Sequence, residues 1–274
     1  MGALGPEGAG DGSEAAASDA SAGGPSKRAV VLLNERAAHL GNFEPVLREH
    51  GYAVEVIDAA APEAEFSAAL AASAEHGRHT ADLVIVLGSS AGVYEASEHP
   101  FIASELAYVR ERLAAQRPVL GVCFGSQLVA AALGAEVRPG HLVDVGYRTV
   151  VPTDAGRSSP VRHVAGVPVA EWHGDTFDLP AGTVRLASSE AYENEAFGIG
   201  DWLLAVQFHP ELTDEMHEEW LASDEEYVTR NGHDPAALRA ERDRFGAPMQ
   251  SASQRMLADF LDRLPAAPTP DASA

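Results

Sequence analysis

Short apolar runs alternate with helix-period stretches through the first half of the chain. Residues 29–33 (AVVLL), 52–57 (YAVEVI), 82–88 (DLVIVLG) and 118–122 (PVLGV) read as strands, with too little polar alternation for a solvent-facing sheet. Helical stretches are expected near 43–50, 62–76, 102–116 and 126–133. Apolar strands separated by helices predict a mostly parallel sheet covered on both faces.

After Gly134 the pattern changes. Residues 142–151 (LVDVGYRTVV), 182–189 (GTVRLASS) and 202–209 (WLLAVQFH) follow one another with little helix between, which predicts antiparallel additions to the sheet. Residues 213–264 are polar and helical, with apolar positions at Met216, Trp220, Tyr227, Leu238, Phe245, Met256, Phe260 and Leu264. Residues 1–26 and 265–274 are rich in Gly, Ala, Ser and Pro and are expected to be disordered tails. The expected organisation is therefore one α/β domain over 27–212, a helical extension over 213–264 packed on it, and two tails. No internal repeat is present.

Charge narrows the partners. Nineteen basic against 41 acidic residues give a net charge of −22, a surface that repels nucleic acid and anionic membranes. The single cysteine cannot form an internal disulfide, the N-terminal stretch lacks the basic and apolar regions of a secretory signal, and no apolar run is long enough to span a bilayer. A cytoplasmic protein is expected.

That cysteine, Cys123, ends the apolar run of PVLGVCFGSQL with a helix expected directly after it, and Gly121 and Gly125 flank it. A strand, nucleophile and helix joined by a sharp turn need small neighbours so that the backbone can approach itself. The helix N-terminus favours a thiolate over a thiol, and the N–H of Phe124 would face a developing oxyanion. A buried, inert cysteine is the competing reading, and the turn alone does not decide between them. A base is needed, and LLAVQFHPEL supplies one: if the strand continues, His209 and Glu211 lie two apart on one face, where the carboxylate can orient the imidazole. Pro210 restricts the backbone between them.

Taken together, GVCFGSQ and QFHPE resemble the nucleophile elbow and His-x-Glu segment of class I glutamine amidotransferases. VLGSSAGVYE stands where that family has its oxyanion loop, and EWHGDTFDLPAGTVRLASSE is similar to a stretch of the glutaminase domain of GMP synthase. The resemblance runs in consistent order over roughly residues 29–212, and stand-alone GMP-synthase-like amidotransferases match best. It implies a flavodoxin-like fold in which Cys123 attacks the side-chain amide of glutamine through a thioester, His209 moves protons and Glu211 orients it. By the same resemblance the N–H groups of Ser89 and Phe124 make the oxyanion hole, and Gly88, Gln127, Gly146 and Tyr147 contact substrate. Gln127 on its own also fits a solvated helix face. His173-Gly174-Asp175 is expected in a loop, with Asp175 capping a turn.

Two departures from the family pattern stand out. The oxyanion loop reads Gly88-Ser89-Ser90 where paired glycines are usual, and serine resists positive φ, which predicts a hole with altered backbone or one completed by a partner. No SGGxDS or Walker A loop is present, so the chain is expected to need no cofactor or metal and to pass ammonia to a separate synthase subunit or release it. Hydrolysis of γ-glutamyl bonds in small conjugates, and a non-catalytic binding role, are the alternatives.

Overall fold

The computed structural model describes residues 27–75 and 81–265; both expected tails lie outside them. Ten strands, β1 (Lys27–Leu33), β2 (Tyr52–Asp58), β3 (Leu83–Val86), β4 (Val119–Val122), β5 (Val137–Thr149), β6 (Val151–Pro152), β7 (Pro168–Phe177), β8 (Val184–Ser188), β9 (Ala196–Ile199) and β10 (Leu203–Val206), alternate with eight α-helices. The helices are α1 (Phe43–Glu49), α2 (Glu63–Glu75), α3 (Phe101–Ala114), α4 (Phe124–Ala132), α5 (Asp154–Arg157), α6 (Asp214–Ser223), α7 (Glu225–Arg230) and α8 (Pro235–Arg263).

Eight strands form one sheet in the order β2-β1-β3-β4-β10-β9-β8-β6. The first five are parallel to their neighbours and the rest are antiparallel, giving the flavodoxin-like α/β fold with antiparallel additions. Every residue of β3, β4 and β10 is buried, as a strand covered on both faces must be. Alternate residues face opposite sides: Ala29 and Val31 join a core with α1, α6 and α8, while Val30 and Leu32 join another with α2, α3 and α4.

Three strand expectations need correction. β10 is not an antiparallel addition: it lies parallel to β4, with Val206 opposite Val122, and antiparallel only to β9. A fully apolar run does not encode direction, because both of its neighbours bury it alike. Residues 142–149 do not join the main sheet; β5 pairs with β7 in a separate two-stranded sheet whose register shifts between Pro139 and Asp144. The WHGD stretch is part of strand β7 and not a loop. Its glycine falls at the register shift between the paired His173 and Asp175, so pairing on both sides overrides the turn chemistry suggested by Gly-Asp.

Residues 213–264 contribute α6, α7 and α8, and α8 buries Met249, Ala252, Met256, Leu257, Phe260 and Leu261 against the sheet. None of the described helices is long and apolar enough to cross a membrane.

Candidate active site

The β4–β10 register decides where the chemistry sits. With Val122 opposite Val206, the residues that follow each strand emerge side by side at the carboxyl edge of the sheet. Cys123 follows β4 directly, and its N–H donates to the Val206 carbonyl at 2.9 Å. Its φ of 52° and ψ of −110° are costly for a side chain bearing Cβ, on the order of 1–3 kcal/mol. The fold imposes the strain through close backbone packing: a Cβ on Gly125 would lie 2.0 Å from the Val86 carbonyl oxygen, and one on Gly121 would lie 2.6 Å from that of Gly125. The cysteine carbonyl then accepts hydrogen bonds from the N–H groups of Ser126 and Gln127. The N–H of Phe124 opens α4 and finds no acceptor among the described residues.

His209 and Glu211 meet across a turn beyond the end of β10, not on one face of a continuing strand. Pro210 sits inside that turn, and Nδ1 of His209 lies 2.8 Å from Oε1 of Glu211. Asn42 holds the turn from below: its Nδ2 donates to the Pro210 carbonyl at 2.8 Å, and its N–H donates to the Glu211 carbonyl at 3.0 Å. Both His209 and Glu211 are buried. Burial alone would push the imidazole pKa down. The charges of Cys123 and Glu211, with hydrogen bonds to both, outweigh it and hold His209 well above its ordinary value. The ring of Trp220, from α6, meets the imidazole edge-to-face at 4.7 Å between centroids.

Gly88 and Ser89 follow β3 on the other side of Cys123. A Cβ at Gly88 would stand 3.2 Å from Cε1 of His209 and 3.9 Å from Cβ of Cys123, so the loop passes close over the pair. Neither Gly88 nor Ser89 has positive φ, so the backbone strain expected of serine here does not arise. Gln127 is buried, and its Nε2 donates to Oε1 of Gln207 at 3.1 Å, while Nε2 of Gln207 reaches Sγ of Cys123 at 3.6 Å. Gln207 carried no assigned role in the sequence, although it lies inside the QFHPE stretch.

A cavity of about 380 Å³ opens over Cys123 and His209 and is lined also by Gly88, Ser89 and Gln127. Gly146 and Tyr147 do not line it. The Tyr147 N–H donates to Oε2 of Glu241 on α8 at 2.9 Å, and its ring packs against Phe245 and His217, so this segment supports the helix and not a ligand. The family resemblance placed them at the pocket; packing against α8 holds them away from it. His173, Gly174 and Asp175 do line the cavity, as do Trp220, Asp224 and Tyr227 of the α6–α7 segment. Nothing local in the sequence marks the last three; only packing brings α6 and α7 over the sheet edge.

The wall is acidic. Glu35, Glu95, Asp175 and Asp224 line the cavity, and among the described residues no Lys or Arg does. Each carboxylate accepts a hydrogen bond from a neutral donor: the Ser90 N–H, the Gly92 N–H, the Tyr94 hydroxyl and the Trp172 Nε1 respectively.

A family model for class I glutamine amidotransferases matches residues 42–225, the span that carries the elbow, the loop over it and the His-Pro-Glu turn. The chain belongs to the class I glutamine amidotransferase family. A glutamine amidotransferase from Thermotoga maritima has a similar structure, with a TM-score of 0.75 at 28% identity over 86% of this chain and 98% of that one. The glutamine amidotransferase-like protein YfeJ of Salmonella typhimurium is 31% identical over 50% of this chain and 59% of its own. A γ-glutamyl-L-1-hydroxyisopropylamide hydrolase of a Pseudomonas species is also 31% identical, over 48% of each chain. The class I amidotransferase chain thus spans less than two thirds of the length of these two curated relatives.

Proposed function

We propose that the protein hydrolyses the side-chain amide of glutamine with a Cys123-His209-Glu211 triad. His209 takes the proton of the Cys123 thiol as Sγ attacks the amide carbon, and the oxyanion is taken up by the N–H groups of Phe124 and Ser89. His209 passes its proton to the leaving nitrogen, so the C–N bond breaks, ammonia departs and a thioester remains. His209 then takes a proton from water, whose oxygen attacks the thioester. Collapse returns that proton to sulfur and releases glutamate. Glu211 holds the imidazole in orientation throughout, and Gln127 and Gly88 border the bound amide. Ammonia goes to a separate synthase subunit or to solvent.

One observation supports this reading most: a cysteine strained onto an elbow beside a buried imidazole whose Nδ1 is held 2.8 Å from a buried carboxylate. An inert structural cysteine has no need of that arrangement. Ammonia release from glutamine, with Cys123→Ala as blank, tests it. Absence of turnover together with failure of a glutamine-analogue electrophile to label Cys123 would return the non-catalytic reading.

A second reading draws on the cavity wall. Four carboxylates without a lysine or arginine among them suit a γ-glutamyl amide whose amine portion carries a positive charge better than free glutamine. γ-Glutamyl amides of a diamine, of an uncharged alkylamine and of an amino acid, compared at equal chain length, separate the cases. A preference for the diamine amide over both others and over glutamine favours this reading; equal rates favour the first.

A further inference from the structure

Beside the cavity, and reaching it through His173, lies a second cluster whose atoms the proposed hydrolysis does not use. Glu171 and His173 project from β7, and Glu195 immediately precedes β9 of the main sheet. All three are buried, with Glu171 and Glu195 at 0% exposure and His173 at 4%. Four of their polar atoms have no hydrogen-bond partner: Oε1 and Oε2 of Glu171, Nε2 of His173 and Oε2 of Glu195. Leaving that many acceptors unpaired in a dry interior is costly, and a group bound between them would relieve the cost.

The remaining atoms of the cluster are already committed, in a way that aims the orphans inward. Nδ1 of His173 lies 2.9 Å from the Asp175 carbonyl. A carbonyl only accepts, so Nδ1 carries the proton and Nε2 presents its lone pair. Nε2 lies 3.3 Å from Oε2 of Glu171 without a hydrogen bond between them, a close approach of two acceptors that a cation bound to both would resolve. Oε1 of Glu195 accepts from the Ser189 hydroxyl at 2.6 Å, leaving Oε2 free. Imidazole fixed through its far nitrogen, and carboxylate fixed through its second oxygen, are the outer contacts that metal ligands make.

The spacing fits as well. One ligand atom from each of the three side chains can be chosen so that all lie within 4.8 Å of one another. A four-coordinate ion with bonds of roughly 2.0–2.1 Å has ligand–ligand edges of about 3.3–3.4 Å, which the His173–Glu171 separation already matches. Two carboxylates balance a divalent charge, and the three side chains supply three ligands, with a water or the second oxygen of Glu171 completing the coordination. His173 also lines the catalytic cavity, which provides an entry path.

We propose that Glu171, His173 and Glu195 form a structural site for a divalent transition metal, zinc by preference. The set of one nitrogen and carboxylate oxygens in a closed, buried site suits zinc better than calcium or magnesium, which demand more oxygens or retained water. The ion clasps the two-stranded sheet to the main sheet behind the catalytic residues. The N–H of Gln207 donates to the Glu195 carbonyl at 2.8 Å, and that of His209 donates to the Ala170 carbonyl at 2.8 Å, so both clasped segments hold the stretch that carries His209 beyond β10.

The test uses the untagged full chain carrying Cys123→Ala, which removes the thiolate as a competing zinc ligand. Protein stripped with a chelator and dialysed is titrated with zinc, and separately with manganese, against a chromophoric competitor while thermal melting is followed. One equivalent of zinc should bind and raise the melting temperature by roughly 5–10 °C at a hundredfold excess over the dissociation constant. Glu195→Gln, nearly isosteric, should abolish both effects. The proposal is overturned if stripped protein melts at the same temperature with and without zinc, or if Glu195→Gln binds zinc as the parent does. Should that variant fail to fold, the parent titration alone decides: no stoichiometric binding means the cluster is neutralised by protons.

Discussion

At the residue scale the decisive group is His209. Its pKa is held above the ordinary range although burial opposes this, because Cys123 and Glu211 both interact with the imidazole. Glu211→Gln removes the carboxylate charge while keeping the shape. The imidazole should then lose its proton at lower pH than in the parent, read from the ring-proton shifts in an NMR titration. Turnover of the best amide substrate should fall on the order of 10³-fold or more, since a misoriented imidazole is a poor base. The sign for stability follows from the same shift. Because the folded value exceeds the unfolded one, this contribution is complete below about pH 6.5 and is lost as pH rises through the folded value.

His217 shows the opposite case. Burial, helped by Arg242, lowers its pKa to about 4, and neither ring nitrogen has a partner. Its folded value lies below the unfolded one, so stability is complete above about pH 6.5 and declines as pH falls toward 4. Urea denaturation at pH 7 and at pH 4.5 should differ by on the order of 2 kcal/mol more in the parent than in His217→Leu. An equal difference in both would assign the acid sensitivity elsewhere.

At the scale of elements, the β4–α4 turn works because two glycines let three backbone segments touch. A methyl group at Gly125 would have to occupy space 2.0 Å from a carbonyl of β3, and no side-chain rotation relieves contact with backbone. Gly125→Ala should therefore cost about 3 kcal/mol or more, or prevent folding, as measured by chemical denaturation. How legible the elements were follows from how local their causes are. The parallel strands and their helices were readable because burial on both faces leaves an uninterrupted apolar run. The elbow was readable because strain needs small neighbours in fixed places. The direction of β10 and the separate pairing of β5 with β7 were not, because partner choice is settled by distant segments.

The whole molecule explains residues 213–264. They are not an ornament on a finished domain: α8 closes one face of the sheet, while α6 and α7 supply Trp220, Asp224 and Tyr227 to the cavity wall. A chain ending at Leu212 would expose the sheet face that Met249, Met256 and Phe260 cover. It should be insoluble or molten, lacking a cooperative thermal transition, whereas the full chain shows one. A soluble, cooperatively folding fragment would make the helices a separable extension.

By itself the sequence marked the candidate residues: a cysteine between two glycines at a strand-to-helix turn, and a histidine and a glutamate two positions apart. It also determined the layered α/β class, because periodicity records which faces are buried. Only the tertiary structure decided what surrounds those residues. It brought α6 and α7 over Cys123, turned Gly146 and Tyr147 toward α8, placed Asp175 in the wall and gathered Glu171, His173 and Glu195 into one buried cluster. Those juxtapositions join residues far apart along the chain, and their cause is the packing of whole elements, which no local pattern encodes.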